Sequence, residues 1–233
     1  MGYIYTMTYV VNELFETWQG EGVHMGEHAF FIRLVGCDQS CHFCDSAQTW
    51  HKDYLDKSVN KKMTPSEIAD EIELFHGQII VITGGEPALW NLEPLCEELN
   101  ERFPGKALHI ETAGHHEIKG GWRFDWITLS PKPFASKPLV SMLHKANELK
   151  IIVEGEESIE YLNSIERVIG QVVWLHPEWS KRNSPEVLSI INREVKINKH
   201  KPRAGYQLHK LYNVDKLDTR SDKRFIPLGG VNG

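Results

Sequence analysis

Apolar positions along this chain fall into short runs that switch between a strand period and a helix period. His28-Ala-Phe-Phe-Ile-Arg-Leu-Val35 reads as a strand, rich in aromatic and β-branched side chains. Gln78–Thr83, Ala107–Glu111, Trp126–Leu129, Glu148–Val153 and Gln171–Leu175 have the same character. Helical patterns lie between them. Thr64-Pro-Ser-Glu67 opens one: Thr64 caps the free amides, Pro65 suits the first turn, and Glu67 completes a capping box. Ile68, Ile72 and Phe75 follow at helical spacing. Leu92–Phe103, Pro138–His144, Ser158–Ile169 and Pro185–Arg193 are further helices, and Ala204–Lys210 reads as a last short strand. Strands alternating with helices imply parallel βαβ units, hence an α/β fold.

The strand ends carry the chemistry. Polar or glycine-containing clusters recur there: Cys37–Cys44, Thr83-Gly-Gly-Glu-Pro87, Glu111-Thr-Ala-Gly114, Ser130-Pro-Lys-Pro133 and His176-Pro-Glu178. In a barrel or a doubly wound sheet these ends converge on one face, where ligands bind.

Composition narrows the class. With 233 residues, 41% hydrophobic and 25% charged, the chain is an ordinary globular one without repeats or low-complexity linkers. Its net charge of −6 and thinly spread Lys and Arg leave no basic stripe, so no nucleic-acid partner is expected. No basic leader region and no bilayer-length apolar run is found, which points to the cytoplasm and away from a membrane. Of four cysteines, three crowd into Cys37–Cys44 and Cys96 stands alone. A disulfide framework would spread them, so the cluster argues for a metal site.

Three thiolates on one loop wrap one face of a metal centre. Structural zinc would need a fourth ligand, with His42 or a distant His available. A four-iron cluster would instead keep one iron open. Both readings stand on the cysteines alone.

The spacing C-x3-C-x2-C directly after a strand, with Phe43 before the last cysteine, resembles the radical S-adenosylmethionine superfamily. Thr83-Gly-Gly-Glu-Pro87, one βα unit later, resembles the segment whose backbone meets the methionine end of that cofactor; glycines permit such close approach. Within the superfamily, Phe15-Glu-Thr-Trp-Gln-Gly-Glu-Gly22 and Arg33 resemble the 7-carboxy-7-deazaguanine synthase family, and the likeness spans roughly Met7 to Tyr212. The resemblance implies a partial, incomplete TIM-like β/α barrel with mostly parallel strands. It implies residues 1–217 as one radical S-adenosylmethionine domain. Residues 218–233, polar and ending in glycines, are expected to be a flexible C-terminal extension without site residues.

Site roles follow from the same resemblance. Cys37, Cys41 and Cys44 would ligate one 4Fe-4S cluster, and no second cluster is expected, since only Cys96 remains. Phe43, Asp45, Gly85, Glu86, Ser130, Pro131, Lys132 and His176 would contact S-adenosylmethionine. Trp18, Gln19, Gly20, Glu21, Arg33, Thr83 and His209 would hold the pterin substrate, with Arg33 on its carboxylate. Ser46 would bind Mg²⁺ through its hydroxyl. His176 stands where the family often has Gln, Ala113 where it has Asn, and Ser46 where Thr is common. The chemistry would rest on the cluster and an adenosyl radical rather than on a catalytic side chain. The radical takes hydrogen from C6 of 6-carboxy-5,6,7,8-tetrahydropterin, the ring contracts, ammonia leaves, and the cofactor is regenerated. A flavodoxin or ferredoxin as electron donor and a homodimer are expected likewise. Two rivals remain at this point: another small radical enzyme, such as a glycyl-radical activase, and a non-catalytic zinc-binding module.

Overall fold

The computed structural model describes residues 7–134, 137–166, 168–222 and 224. The first element among the described residues is β1 (Tyr9–Trp18), which turns back antiparallel into β2 (His28–Leu34); β3 (Lys61–Met63) pairs with the start of β1. There follow α1 (Pro65–Asp70), β4 (Ile79–Gly84), α2 (Glu93–Arg102), β5 (Ala107–Thr112) and β6 (Trp126–Leu129). The chain continues through α3 (Val140–Lys145), β7 (Glu148–Val153), α4 (Glu156–Ser164), β8 (Val172–Pro177), α5 (Pro185–Ile197), β9 (Arg203–Ala204) and α6 (Leu208–Tyr212). The strands form one nine-stranded sheet in the order β3-β1-β2-β4-β5-β6-β7-β8-β9. From β2 to β9 every neighbouring pair is parallel. The sheet curves without closing, so the architecture is the expected partial β/α barrel.

Alternation along the strands separates two faces. Phe30, Ile32 and Leu34 of β2, Ile80 and Ile82 of β4, and Leu149, Ile151 and Val153 of β7 join the helices in the main core. Ile68 of α1, Leu95 and Leu99 of α2, Leu162 of α4 and Ile190 of α5 meet them there. Each such side chain contributes roughly 1.5–3 kcal/mol on leaving water, so this layer dominates stability. The other face holds a small apolar floor of Phe15, Ala29, Phe31, Ile79 and Val81, and above it polar groups. Cys96 is fully buried in the main core, which removes it from any metal site.

Three details differ from the sequence pattern. β1 was not expected as a strand, because its alternation breaks: the register shifts between Val11 and Glu13, a bulge at Asn12. The capping box at Thr64 and Glu67 forms, yet α1 ends at Asp70, and Ile72 is buried from a turn and Phe75 from the loop after it. The expected strand Ala204–Lys210 is corrected to the two-residue β9 followed by α6. The Gly205 N–H still donates to the Leu175 carbonyl of β8 at 2.8 Å, and residues 206–207 then lead into a helix. As the sequence pattern has it, the β5–β6 connection has no helix, so this unit of the barrel is incomplete. Residues 218–222 and 224 pack against β1 and its neighbours, and 225–233 lie outside the described residues. Among the described residues no helix is long and apolar enough to cross a membrane.

Candidate active site

A cavity of about 500 Å³ opens at the C-terminal ends of the parallel strands. Its wall gathers segments far apart in sequence: Trp18–Glu21, Arg33, the cysteine loop, Thr83–Glu86, Glu111, Ser130, Lys132, Lys150 and His209. The folding reason is the inner-face alternation, which turns Phe31 and Arg33, Thr83, Glu111, Lys150 and Ile152 inward.

Cys37, Cys41 and Cys44 all line this cavity and none is in a disulfide. Burial pushes the Cys37 thiol up to about 12 and the Cys41 thiol up to about 11, so iron must displace protons there. The loop already offers donors to sulfur: the Gln39 N–H lies 3.4 Å from Cys37 Sγ and the Trp50 Nε1–H 3.3 Å from Cys44 Sγ. Hydrogen bonds of this kind tune a cluster's potential. The donor set therefore fits a cluster held by three thiolates with one corner left for another ligand. His42 does not join them: it is exposed and bonds Glu154 at 3.0 Å.

Glycines let the loops meet. Gly85 donates its N–H to the Leu34 carbonyl at 3.0 Å, and Glu86 donates to the Gly36 carbonyl at 2.7 Å. A Cβ on Gly85 would stand 2.2 Å from the Gly36 oxygen, a backbone atom next to Cys37, so the approach demands glycine. Gly22 has φ +74°, and a Cβ there would strike the Glu148 carboxylate. That carboxylate anchors the segment, taking the Val23 N–H (3.0 Å), Thr128 Oγ1 (2.7 Å) and Trp174 Nε1 (2.9 Å).

The polar wall is a connected network. Gln19 donates from Nε2 to Glu111 Oε1 (2.9 Å), and Thr83 Oγ1 donates to Glu111 Oε2 (3.3 Å). Glu21 takes Lys150 Nζ on one oxygen and Gln207 Nε2 (2.7 Å) on the other. Burial alone would raise the Glu21 carboxyl, but Lys150 holds it far below the usual carboxylate range. Asp45 lies at the mouth, 3.0 Å from Lys210 Nζ. Arg33 donates from Nε to Glu13 Oε1 at 2.5 Å, directly across the β1–β2 ladder, and its guanidinium lies 5.6 Å from the Phe15 ring. Gly20 accepts the Leu208 N–H at 2.9 Å and packs against His209. Trp18 meets Tyr212 edge-on at 5.9 Å. Ser46 Oγ donates to the Gly84 carbonyl (3.3 Å) beside Cys44, and Lys132 Nζ lies 5.9 Å from the Phe43 ring.

Two expected contacts find other places, and a third has its side chain engaged within the protein. His176 is fully buried and outside the cavity wall, behind Gly205; its ring nitrogens have no hydrogen-bond partner in the described structure. Pro131 is buried and also off the wall. Glu86 borders the cavity, but its carboxylate is used internally, by the Ala88 N–H and Thr112 Oγ1 on one oxygen and the Ala113 N–H on the other. It ties two strand-end loops together. The wall also brings in residues the sequence reading gave no site role: Glu111, Lys150, Gln207, Lys210 and Arg224. Lys150 had a readable signal, since Glu148 and Lys150 share one face of an otherwise apolar strand.

Comparison with known proteins places the architecture. Residues 31–152 match the model of the radical SAM superfamily. The chain is 39% identical over 176 residues to the 7-carboxy-7-deazaguanine synthase of Synechocystis sp., covering 75% of this chain and 80% of that protein. The chain belongs to the 7-carboxy-7-deazaguanine synthase family. The family's Flavobacterium psychrophilum member is 32% identical over 206 residues, covering 87% of this chain and 90% of the relative. The crystal structure of QueE from Escherichia coli superposes with a TM-score of 0.70 at 30% identity, covering 87% of this chain and 95% of that one. Family membership settles the metal question left open by the cysteines: the 7-carboxy-7-deazaguanine synthases are radical S-adenosylmethionine enzymes, with a 4Fe-4S cluster. The zinc-module and activase readings are set aside.

Proposed function

We propose that the chain converts 6-carboxy-5,6,7,8-tetrahydropterin to 7-carboxy-7-deazaguanine and ammonia, a radical lyase reaction of queuosine and related deazapurine synthesis. One observation carries this reading: the cavity that holds the three cysteines is also walled by Gln19, Glu21 and Arg33, in a chain of this family. When bound, the cluster and S-adenosylmethionine supply a 5′-deoxyadenosyl radical able to remove the C6 hydrogen.

The chain's own residues then divide the work. Cys37, Cys41 and Cys44 hold the cluster. The Gly85 backbone, Phe43, Ser130 and Lys132 hold S-adenosylmethionine. Arg33 takes the substrate carboxylate, with two nitrogens left beyond the one that Glu13 uses. Gln19, Gly20, Glu21, Thr83 and Trp18 hold the pterin from the other side, with Glu111 and His209 beside them. The Lys150–Glu21–Gln207 chain keeps Glu21 ionised and fixed, so that it accepts hydrogen bonds from the substrate without reorganising. Ser46 supplies a hard oxygen for Mg²⁺ at the mouth, where Asp45 adds negative charge. A flavodoxin or ferredoxin as one-electron donor, a homodimer and a cytoplasmic setting complete the reading, and kinship is what supports them.

The test is an anaerobic assay with 6-carboxytetrahydropterin, S-adenosylmethionine, a reductant and Mg²⁺. The expected product is lighter than the substrate by one ammonia. Intact substrate alongside active cofactor cleavage would refute the assignment.

A further inference from the structure

Glu13 is buried, and both of its oxygens are engaged. Oε1 takes Arg33 Nε, and Oε2 takes the backbone N–H of Asp222 at 2.6 Å. The bulge at Asn12 sets this up. It puts Glu13 opposite Arg33 while Val11 and Leu14 stay in the core. Asp222 belongs to a segment that lies along β1, the strand β3 covers only from Tyr9 to Val11. That segment is tied at three more places. Asp218 Oδ2 accepts the Glu16 N–H at 2.8 Å. Arg220 donates to the Glu71 carbonyl at 3.0 Å, and Arg224 donates to the Tyr54 carbonyl at 3.1 Å. Arg224 also grips the Asp222 carboxylate, Nε to Oδ1 at 2.9 Å and Nη2 to Oδ2 at 2.5 Å, which fixes the residue whose N–H reaches Glu13.

We propose that residues 218–222 and 224 form a strap that positions Arg33 for the substrate carboxylate, acting through the Asp222 N–H and Glu13. The proposal rests on the assignment of Arg33 to that carboxylate made above. A guanidinium gives a carboxylate two parallel bonds only while its plane is held. Glu13 holds Nε, and the terminal nitrogens have no hydrogen-bond partner among the described residues, so they remain for the substrate. Glu13 is itself held only while its second oxygen is satisfied. Removing the Asp222 N–H leaves a buried carboxylate oxygen unpaired. Glu13 then turns toward water, and Arg33 loses its fixed plane. The strap also covers backbone at a sheet edge that would otherwise be open.

Asp222→Pro removes the N–H and Asp222→Asn keeps it. Glu13→Gln keeps the shape and removes the charge. In holoenzyme, KM for 6-carboxytetrahydropterin should rise about ten-fold in Asp222→Pro and Glu13→Gln, with kcat changed less and iron content retained. Asp222→Asn, which keeps the N–H but loosens the Arg224 clamp, should raise KM less than Asp222→Pro does. Tetrahydropterin lacking the 6-carboxylate, used as a competitor, should bind all of them alike. Unchanged KM in Asp222→Pro, with Arg33→Gln impaired, overturns the strap alone. Unchanged KM in Arg33→Gln overturns the site reading beneath it. Parallel loss of kcat, iron and KM in Asp222→Pro also overturns the strap, since it marks a general structural role.

Discussion

Cys41 is the most enclosed of the three thiols, and nothing else on the wall can take its place as a soft ligand. Cys41→Ala should therefore abolish cluster assembly, read as iron and sulfide per chain after anaerobic purification; full iron content would contradict the ligand assignment. Lys150 acts differently. It is buried against Glu21, and removing one partner of a buried ion pair strands the other, typically at a cost of about 3–5 kcal/mol. Lys150→Met should lower the unfolding midpoint and weaken pterin binding, and Lys150→Arg should restore part of both. A Lys150→Met enzyme with parental stability and KM would show that the pair is idle. At this scale the sequence was partly legible. The cysteines and Gly85 announce themselves by spacing. Glu111 stands in a strand-end cluster, Lys150 is recognisable only through strand alternation, and the bond of Gln207 to Glu21 shows only in the folded chain. His176 misled, because a strand-end position says nothing about which side of the strand a ring takes.

The elements meet through close backbone contacts rather than through long side chains. The Gly85–Gly36 approach joins the end of β4 to the cysteine loop after β2, so a single methyl separates two motifs at once. Gly85→Ala should lower both cluster occupancy and affinity for S-adenosylmethionine by ten-fold or more on the scale of about 1–3 kcal/mol of overpacking. Equilibrium binding to the reconstituted protein checks it, and parental affinity with full iron would refute the tie. The parallel strands and their helices were readable from the alternating periods, since each buries one face against the helices. β1 was not, because its bulge trades regular alternation for a carboxylate opposite Arg33. The last strand was misread for a similar reason: Ala204–Lys210 has mixed polarity, and the backbone leaves the sheet to carry Gln207 and His209 to the cavity.

Two buried histidines make the stability of the whole molecule sensitive to acid. Burial lowers the His176 imidazole to about 4, and burial with the nearby His24 lowers His109 to about 4. Both are neutral in the fold and take up protons near 6.5 when unfolded. The unfolded state thus binds more protons between these values. The stabilisation is fully present above about pH 6.5 and is lost as pH falls toward 4. For His176 the shift corresponds to something on the order of 3 kcal/mol. His176→Leu should flatten the fall in denaturation free energy between pH 7 and 4.5, and an unchanged slope would show that the ring is not buried neutral. The open barrel, its strand-end cavity and the ring of motifs around it form one catalytic object. The most direct measurement follows product, ammonia and S-adenosylmethionine together in anaerobic turnover of 6-carboxytetrahydropterin deuterated at C6. Several 7-carboxy-7-deazaguanine molecules and as many ammonia molecules are expected per cofactor, with deuterium recovered in S-adenosylmethionine. Cofactor consumed to 5′-deoxyadenosine with no deazapurine and no deuterium transfer would contradict the proposed reaction.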